Sequence, residues 1–325
     1  MRTNGCSYIA LLALALCLSV GTWAATSAKD ALKEDLLGCW QRVDNKPEEK
    51  SSTLLMRFEE KRFINVPHDG PRQVLPITYK QGKIVLGPEG AREEFKAQIV
   101  DGKLTITNPD NSQELYKKLT AVPEQLDISP LNLGDIAKKL EPAKVEEIKK
   151  ELAKRVVEDQ AVRKETNRRS DMGKVDAENT AWLRKLVQET GWIDCARFDR
   201  QTASQAFLIV QHSGDLRLMQ AALPLIQKDM KSGAGDPQDY ALLYDRVKNY
   251  LGEKQRYGSQ IGSDQNGNPV VLPLEDRGRV EEFRKEIGLF PLSDYLAMMK
   301  KMTGKDVKFA DDQKAGAAKP QAGEP

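Results

Sequence analysis

The amino-acid sequence predicts an α+β protein of two domains, in which a small antiparallel β-barrel precedes a mostly α-helical domain with one β-hairpin. Three observations predict this class. Short runs of β-branched and aromatic residues, separated by turn residues, fill residues 36–119. From residue 143 onward, apolar residues recur three and four positions apart, which is the spacing of one helix face. Between these regions, residues 120–142 are punctuated by proline and show no periodicity, which predicts a linker.

The chain begins with the pattern of a secretory signal peptide, predicted over residues 1–25. Arg2 supplies a basic start, Ile9–Val20 is an apolar core, and Ala24 belongs to the small residues that precede cleavage. The core is shorter than the roughly 20 residues that a membrane-spanning helix needs, and no later run is apolar enough. Cys17 follows Leu rather than a small residue, which argues against a lipoprotein. We therefore expect an exported protein, periplasmic or secreted, without a membrane span.

The barrel prediction follows from the alternation of short strands and turns. Asp101-Gly102, between apolar runs, is the strongest hairpin signal, because Asp-Gly favours the tight turns that join antiparallel strands. Short strands at this spacing predict a closed or nearly closed antiparallel barrel. His68 stands beside Asp69-Gly70 and is interpreted as a solvated turn residue. The predicted strand cores are LGCWQRV, TLLMRF, RFINV, LPITY, KIVL, FKAQIV, KLTIT and ELYKKL.

A Gly-x-Trp motif opens the first predicted strand. Gly38-Cys39-Trp40 is followed by about seven more strands, the last of which contains Tyr116-Lys117-Lys118. This pattern, about 85 residues long, resembles the small lipocalin-like domains of exported bacterial proteins. The resemblance implies that Trp40 packs across the closed end of the barrel. A barrel this small is expected to be filled by side chains, with a ligand-holding interior as the alternative.

The helical domain is predicted over residues 143–303, and a disordered tail rich in Lys, Ala, Gly and Pro over residues 304–325. Asn179 and Asp236 are expected to cap helices, Gly191 to end one, and Pro224 to kink or interrupt its helix. A Gly/Asn-rich loop between two apolar runs predicts the hairpin within residues 257–274. The predicted helices are 143–168, 180–190, 202–212, 215–231, 237–251, 279–287 and 291–302.

Composition narrows the function classes. The chain has 50 basic and 48 acidic residues, and this balance argues against nucleic acid as a partner. Cys39 and Cys195 remain after the signal peptide and lie in different predicted domains, so they are interpreted as free thiols. Neither His68 nor His212 is spaced from a cysteine as in a metal motif, and the sequence contains no nucleotide-binding or hydrolase fingerprint. We therefore expect no metal and no cofactor.

His212 is the leading candidate for a functional residue, and two interpretations are open. On one unbroken helix it joins an apolar stripe with Leu208 and Leu216 and is a core residue. Alternatively, Ser213-Gly214 ends the helix and Asp215 caps the next one, which places His212 at a helix C-terminus. The second interpretation makes its side chain available to a pocket beside the junction.

Further polar residues accompany this histidine as candidates for ligand binding. Asp159 and Arg163 stand four positions apart, as a surface ion pair or as a pair in which Asp159 orients Arg163 toward a pocket. Asp245-Arg246 directly follow an apolar stretch and are either solvated or part of the site. Neutral hydrogen-bonding side chains, which hairpin structure explains equally well, complete the set: Gln211, Gln255, Tyr257 and Gln260.

Six motifs occur in a fixed order along the helical domain. They are Asp159-Gln160-x-x-Arg163, Gly191-Trp192, Gln211-His212-Ser213, Asp245-Arg246, Gln255-x-Tyr257-Gly258-Ser259-Gln260 and Gly288-Leu289-x-Pro291-Leu292-x-x-Tyr295. Together they resemble an uncharacterised bacterial family of helical domains, over about residues 145–300. Gly214 departs from the Ala or Asp expected after Ser213. The family has no established activity, so the resemblance implies a shared site but not its chemistry.

The leading hypothesis from the sequence is a non-catalytic envelope protein. Its helical domain binds a polar small molecule or an envelope protein through the polar cluster, and the barrel is an accessory module. The alternative is a hydrolase in which His212 is the general base and Asp215 or Asp245 orients it. A scaffold or assembly role is also open.

Overall fold

The computed structural model describes residues 32–43, 53–67, 72–80, 83–87, 92–133, 139–264 and 266–310. The chain forms two compact units that divide between Leu126 and Asp127. The predicted signal peptide and His68 lie outside the described residues. Across the described ranges, no helix combines the length and the apolar character needed to cross a membrane.

The first unit contains the predicted antiparallel barrel. Its strands are β1 (Gly38–Arg42), β2 (Thr53–Phe58), β3 (Arg62–Pro67), β4 (Gln73–Lys80), β5 (Lys83–Leu86), β6 (Glu93–Val100), β7 (Lys103–Thr107) and β8 (Gln113–Leu119). Each strand pairs with the next, and β1 pairs with β8, so the sheet closes on itself. Asp101 and Gly102 take φ values of 50° and 72° between β6 and β7, the left-handed region that a tight Asp-Gly turn uses.

Side chains fill the interior of this barrel. The indole N–H of Trp40 donates to the carbonyl of Leu36 at 2.8 Å, which ties β1 to the helical segment at residues 32–36. Burying a large apolar side chain contributes about 1.5–3 kcal/mol, so this interior is a main source of the unit's stability. The buried cluster contains Leu36, Trp40, Met56, Phe58, Phe63, Ile77, Ile84, Leu86, Ala97, Leu104, Ile106 and Tyr116.

The second unit is built mainly from helices. They are α1 (Pro142–Lys164), α2 (Met172–Thr190), α3 (Arg200–His212), α4 (Leu216–Lys231), α5 (Pro237–Tyr250), α6 (Val280–Glu286) and α7 (Leu292–Thr303). Asp199, Asp215 and Asp236 cap α3, α4 and α5, because each side chain accepts a backbone N–H of the first turn. Gly191, with a φ of 76°, ends α2 as predicted.

The cap expected at Asn179 is wrong, and of the two outcomes expected at Pro224 the interruption is wrong. Asn179 is not a cap, because α2 begins at Met172 and Asn179 lies buried within it. Its Oδ1 instead accepts from Arg155 Nη1 at 3.1 Å, a partner on another helix. Pro224 does not interrupt α4, which runs through it. Pro224 is exposed, so water can satisfy the carbonyl group that the missing N–H leaves free.

The middle of the predicted linker packs against α4. Arg217 forms an ion pair with Asp127 at 2.9 Å and donates to the carbonyl of Ser129 at 3.0 Å. Gln220 donates to the carbonyl of Ile128 at 2.5 Å. Residues 127–131 are therefore held along the first turns of the helix and belong to the second unit.

The predicted hairpin is present and carries a third strand. Strands β9 (Ile261–Ser263) and β10 (Pro269–Val271) are antiparallel, and β11 (Lys308–Phe309) pairs with β10 in parallel. The predicted disordered tail therefore begins too early, because residues 304–310 reach back to this sheet; residues 311–325 lie outside the described residues. Val271 of β10 forms one buried cluster with Leu274, Val280, Leu292 and Tyr295.

Candidate functional site

His212 lies at a sharp junction between two helices. It is the last residue of α3, and Gly214, two residues later, has a φ of 63°. Asp215 caps α4 by accepting from the N–H groups of Arg217 and Leu218 at 3.1 and 3.2 Å. The glycine supplies the left-handed backbone that the reversal requires. The predicted helix break is thus confirmed, and the His212 side chain is 19% exposed rather than enclosed in the core.

The buried carboxylate of Asp159 holds the imidazole of His212. His212 Nδ1 lies 3.0 Å from both carboxylate oxygens, and the Asp159 side chain is 1% exposed. An ionised carboxylate only accepts hydrogen bonds, so Nδ1 carries the hydrogen and Nε2 of the neutral ring carries the lone pair. Among the described residues Nε2 has no hydrogen-bond partner. Asp159 therefore fixes the imidazole at Nδ1, and Nε2 has no partner among the described residues.

Arg163 links this pair to a second carboxylate. Its Nη1 donates to Asp159 Oδ1 at 3.0 Å, and its Nη2 donates to both oxygens of Asp176 at 2.7 and 2.8 Å. Gln160 adds a further hydrogen bond to Asp159 at 2.8 Å. Burial by itself raises the pKa of Asp159, but His212, Gln160 and Arg163 outweigh it and hold that pKa below its ordinary value. Asp159 is therefore ionised at neutral pH.

Asp215 and Asp245, which were expected to orient His212, have other contacts. Asp215 uses its side chain to cap α4, and Asp245 is fully buried against the loop that follows α5. Asp159, assigned from the sequence only to Arg163, is the carboxylate that contacts the imidazole. The alternative interpretation of Asp159 and Arg163 as a surface ion pair is also wrong, because the carboxylate is buried.

Arg246, on α5, reaches the same helix junction from the other side. Its Nη1 donates to the backbone carbonyl of Gln211, and its Nε donates to Gln260 Oε1 at 3.1 Å. The Gln211 amide, oriented as its hydrogen bonding requires, accepts from Nε at 3.0 Å and Nη2 at 3.3 Å. Burial lowers the pKa of the Arg246 guanidinium. No carboxylate of the described residues forms an ion pair with it.

These contacts define the histidine site as Asp159, Arg163, Gln211, His212 and Arg246. The members come from α1, α3 and α5, and backbone or side-chain hydrogen bonds join Arg163 to Asp159, Asp159 to His212, and Arg246 to Gln211. Asp176, on α2, is a neighbour that the sequence did not indicate. Burial raises its pKa, and Arg163 partly offsets this effect.

Asp245 organises the segment 255–260, which we call the support loop. Its carboxylate accepts from the backbone N–H groups of Arg256 at 2.8 Å, Tyr257 at 3.1 Å and Ser259 at 2.9 Å. Burial raises the pKa of Asp245, and the hydrogen bonds from the loop amides act against this rise. The residue is 0% exposed, and its carboxylate contacts the backbone of the loop.

The remaining predicted residues build the support loop rather than an open surface. Gln255 donates to the carbonyls of Gln260 and Leu272 at 3.0 and 2.8 Å, and its Oε1 accepts from the Gln260 backbone N–H at 2.8 Å. Tyr257 packs edge-on against Tyr244 with ring centroids 5.5 Å apart. Gln260 is the member that connects this loop to the histidine site, through its contact with Arg246.

Gly258 shows why the support loop needs its glycine. Its φ is +68°, and a Cβ atom there would lie 3.0 Å from Leu292 Cδ1 and 3.2 Å from Cδ2. The hydroxyl of Tyr295 closes the loop by donating to the carbonyl of Ser259 at 2.8 Å. The Gln-x-Tyr-Gly-Ser-Gln motif is thus explained by backbone conformation, packing and internal hydrogen bonds.

A separate, partly open cleft lies in the second unit. Ser204 donates to Asp239 at 2.7 Å there, and burial raises the pKa of Asp239 to about 6. Burial and the nearby carboxylate of Asp229 raise the pKa of the Cys195 thiol to about 12, so it is protonated and unreactive at neutral pH. The residues that line the cleft include Trp192, Cys195, Arg200, Ser204, Phe207, Asp229 and Asp239.

The described part of the chain contains no group of three or more His, Cys, Asp or Glu side chains arranged to hold a metal ion. Cys39 and Cys195 are both free. The chemistry that the histidine site itself supplies is hydrogen bonding, positive charge and proton transfer at one imidazole nitrogen.

The second unit also matches a family model. The model, described as "Family of unknown function (DUF6624)", matches residues 140–308, just over half of the 325 residues. No curated protein and no solved structure matches the chain. All members of the histidine site and the support loop fall inside the matched residues.

Proposed function

The chain belongs to the DUF6624 family of unknown function, and we propose that its second unit binds a polar ligand at the histidine site. The observation that carries this proposal is the contact between Asp159 and His212. It fixes Nδ1 against a buried carboxylate and leaves Nε2 without a partner among the described residues. A ligand hydroxyl or N–H group is the complement that this nitrogen lacks.

The arrangement differs from that of a structural histidine. A fully buried histidine with a purely structural role has a partner for each ring nitrogen, from the protein or from ordered water, because an unpaired polar atom in the core is costly. His212 instead keeps one side of its ring partly exposed, at the break between α3 and α4. The three partners of Asp159 hold the carboxylate in place, so the ring that it contacts has a defined orientation.

A hydrolase is the second candidate function, and the same contact supports it. A general base needs a ring nitrogen with a free lone pair and a partner that fixes the tautomer, which Asp159 provides. The adjacent Ser213 is not placed as a nucleophile, because its hydroxyl donates to the carbonyl of Val210 at 2.7 Å and accepts from the Asp215 N–H at 3.1 Å. In this candidate, His212 therefore activates water.

The proposal also includes an exported protein in which the barrel is an accessory module. The apolar Ile9–Val20 run and the small residues before Ala25 support export to the periplasm or beyond. Amino-terminal sequencing of the mature protein tests this part. A mature chain that still begins at Met1 would contradict it.

A thermal-shift screen of the full chain tests ligand binding. The probes are sugars, short peptides and cell-wall fragments, and the test variant is His212→Gln. The matched control is His68→Gln, the same replacement at the chain's other histidine. We expect a ligand that stabilises the wild type and the control but not His212→Gln. A ligand that stabilises all three equally would remove His212 from the site, and slow breakdown of a bound ligand by the wild type alone would favour the hydrolase.

A further inference from the structure

We infer that the ligand carries an oxyanion, a carboxylate or phosphate group, that binds the guanidinium of Arg246. This inference rests on the proposed function, because it names the chemistry of the ligand at the same histidine site. The guanidinium of Arg246 has no counter-ion in contact with it among the described residues.

The partners of Arg246 are all neutral. They are the backbone carbonyl of Gln211, the side-chain oxygen of Gln211 and the side-chain oxygen of Gln260. Removing a guanidinium from water is costly unless an opposite charge accompanies it. Burial accordingly lowers the pKa of Arg246. An anion at this position would recover part of the cost.

The carboxylates of Asp159 and Asp176 already have partners within the protein. Arg163 binds both Asp159 and Asp176, and His212 shares Asp159. The positive charge of Arg163 also contributes to lowering the pKa of Arg246. Arg246 therefore has no carboxylate in contact with it among the described residues, and the positive charge of Arg163 acts on it without a direct counter-ion.

The guanidinium is also held in a fixed orientation. Gln211 and Gln260 contact it from α3 and from the support loop, and Asp245 in turn fixes that loop. A guanidinium has more N–H donors than these neutral acceptors use, and its planar fork matches the two oxygens of a carboxylate or phosphate. The free donors are thus positioned before a ligand arrives, which reduces the entropy lost on binding.

A purely structural role for Arg246 makes a different prediction. In that role the side chain only ties the end of α3 to the support loop, and replacing it lowers stability without any oxyanion effect. Gln211→Glu separates the two roles, because it places a carboxylate where the amide oxygen lies 3.0 Å from Arg246 Nε. This internal counter-ion preserves the tie and competes with an external anion.

The test measures the thermal midpoint of the full chain against increasing inorganic phosphate or acetate, with NaCl used to match ionic strength. N-Acetylglucosamine is the neutral probe. The variants are Arg246→Gln, Arg246→Lys, Gln211→Glu and His212→Gln. Circular dichroism establishes that each variant is folded, and Gln211→Glu keeps the test decisive if Arg246→Gln does not fold.

We expect a saturable rise in the midpoint of the wild type with phosphate or acetate and none with NaCl. Arg246→Gln should weaken the apparent affinity at least about tenfold, and Arg246→Lys less, since it keeps the charge without the fork. Gln211→Glu should have a higher midpoint without anion and lose the rise. The stronger of the phosphate and acetate responses identifies the oxyanion.

An absent oxyanion response, or one that Arg246→Gln and Gln211→Glu leave intact, overturns the inference. The proposed function fails in a different way. If a neutral probe stabilises the wild type but not His212→Gln while oxyanions have no effect, the proposed function stands and the oxyanion inference falls. If oxyanions require Arg246 but not His212, the inference stands and the role proposed for His212 falls.

Discussion

Replacing Asp245 should destabilise the second unit by removing the common acceptor of the support loop. Its two carboxylate oxygens accept from the backbone N–H groups of Arg256, Tyr257 and Ser259 at 2.8 to 3.2 Å. In Asp245→Ala these groups lose their acceptor in a buried region. In Asp245→Asn one oxygen remains, and the amide nitrogen faces at least one N–H group that also donates.

The expected size of the effect follows from the number of donors left unpaired. A buried N–H group without an acceptor costs about 1–3 kcal/mol, and Asp245→Ala removes the carboxylate acceptor of three such groups. Burial of the charge itself, which raises the pKa of Asp245, is relieved by the replacement and offsets part of the loss. We therefore expect Asp245→Ala to lower the free energy of unfolding by about 3–4 kcal/mol, and Asp245→Asn by about 2 kcal/mol.

Urea unfolding followed by circular dichroism measures this change, because the helical signal reports mainly on the second unit. Asp294→Asn, at an exposed position on α7, is the matched control and should change the free energy of unfolding by less than about 0.5 kcal/mol. An Asp245→Ala variant within about 1 kcal/mol of the wild type would refute the role of Asp245 in holding the loop.

Three further predictions concern other charges and one glycine. Asp239→Asn should match the wild type below about pH 4 and be more stable by about 1–2 kcal/mol above about pH 7. The sign follows because burial raises the pKa of Asp239 to about 6, so the stability that its proton provides is lost as the pH rises through that value. Gly258→Ala should cost about 2–3 kcal/mol, since its φ is +68° and the new Cβ meets Leu292. Asp159→Asn should lower stability by about 1–3 kcal/mol and weaken ligand binding, because an amide does not fix the His212 tautomer.

Each of these predictions has its own measurement. Unfolding in urea across a pH series tests the Asp239 prediction. A difference in the free energy of unfolding between wild type and variant that stays the same at every pH would contradict it. Gly267→Ala is the control for Gly258, because Gly267 has a φ of +71° but nothing within 4 Å of its Cβ position. If the two alanine variants lose equal stability, the contact with Leu292 has no effect. For Asp159, the Asp176→Asn variant should retain more ligand affinity, and the reverse order would refute the assignment.

The features that the sequence predicted well depend on residues a few positions apart. Asp101-Gly102 forms its turn, Asp236 caps α5, and Gly214 with Asp215 breaks the chain after His212. Turn and cap chemistry is local, because a side chain or a permissive φ acts on the backbone next to it. The barrel could be predicted for the same reason, because its neighbouring strands follow one another in sequence.

The features that the sequence did not predict depend on how the helices pack. Asp159 and His212 are 53 positions apart, and Arg163 and Asp176 are 13 apart on different helices. Helical spacing identifies partners only within about one turn of the same helix, so it offered Asp159 a partner in Arg163 alone. The burial of Asn179 within α2 and the pairing of β11 with β10 are likewise tertiary effects.

The central claim is that Asp159 fixes the tautomer of His212 and leaves Nε2 free to meet a ligand. Long-range ¹H–¹⁵N correlation spectra of the imidazole rings test it directly, and with two histidines in the chain, His212→Gln assigns the signals. In the neutral ring we predict a hydrogen on Nδ1 and a bare Nε2 whose ¹⁵N shift moves when ligand binds. A hydrogen on Nε2, or the same spectrum in Asp159→Asn, would contradict the claim.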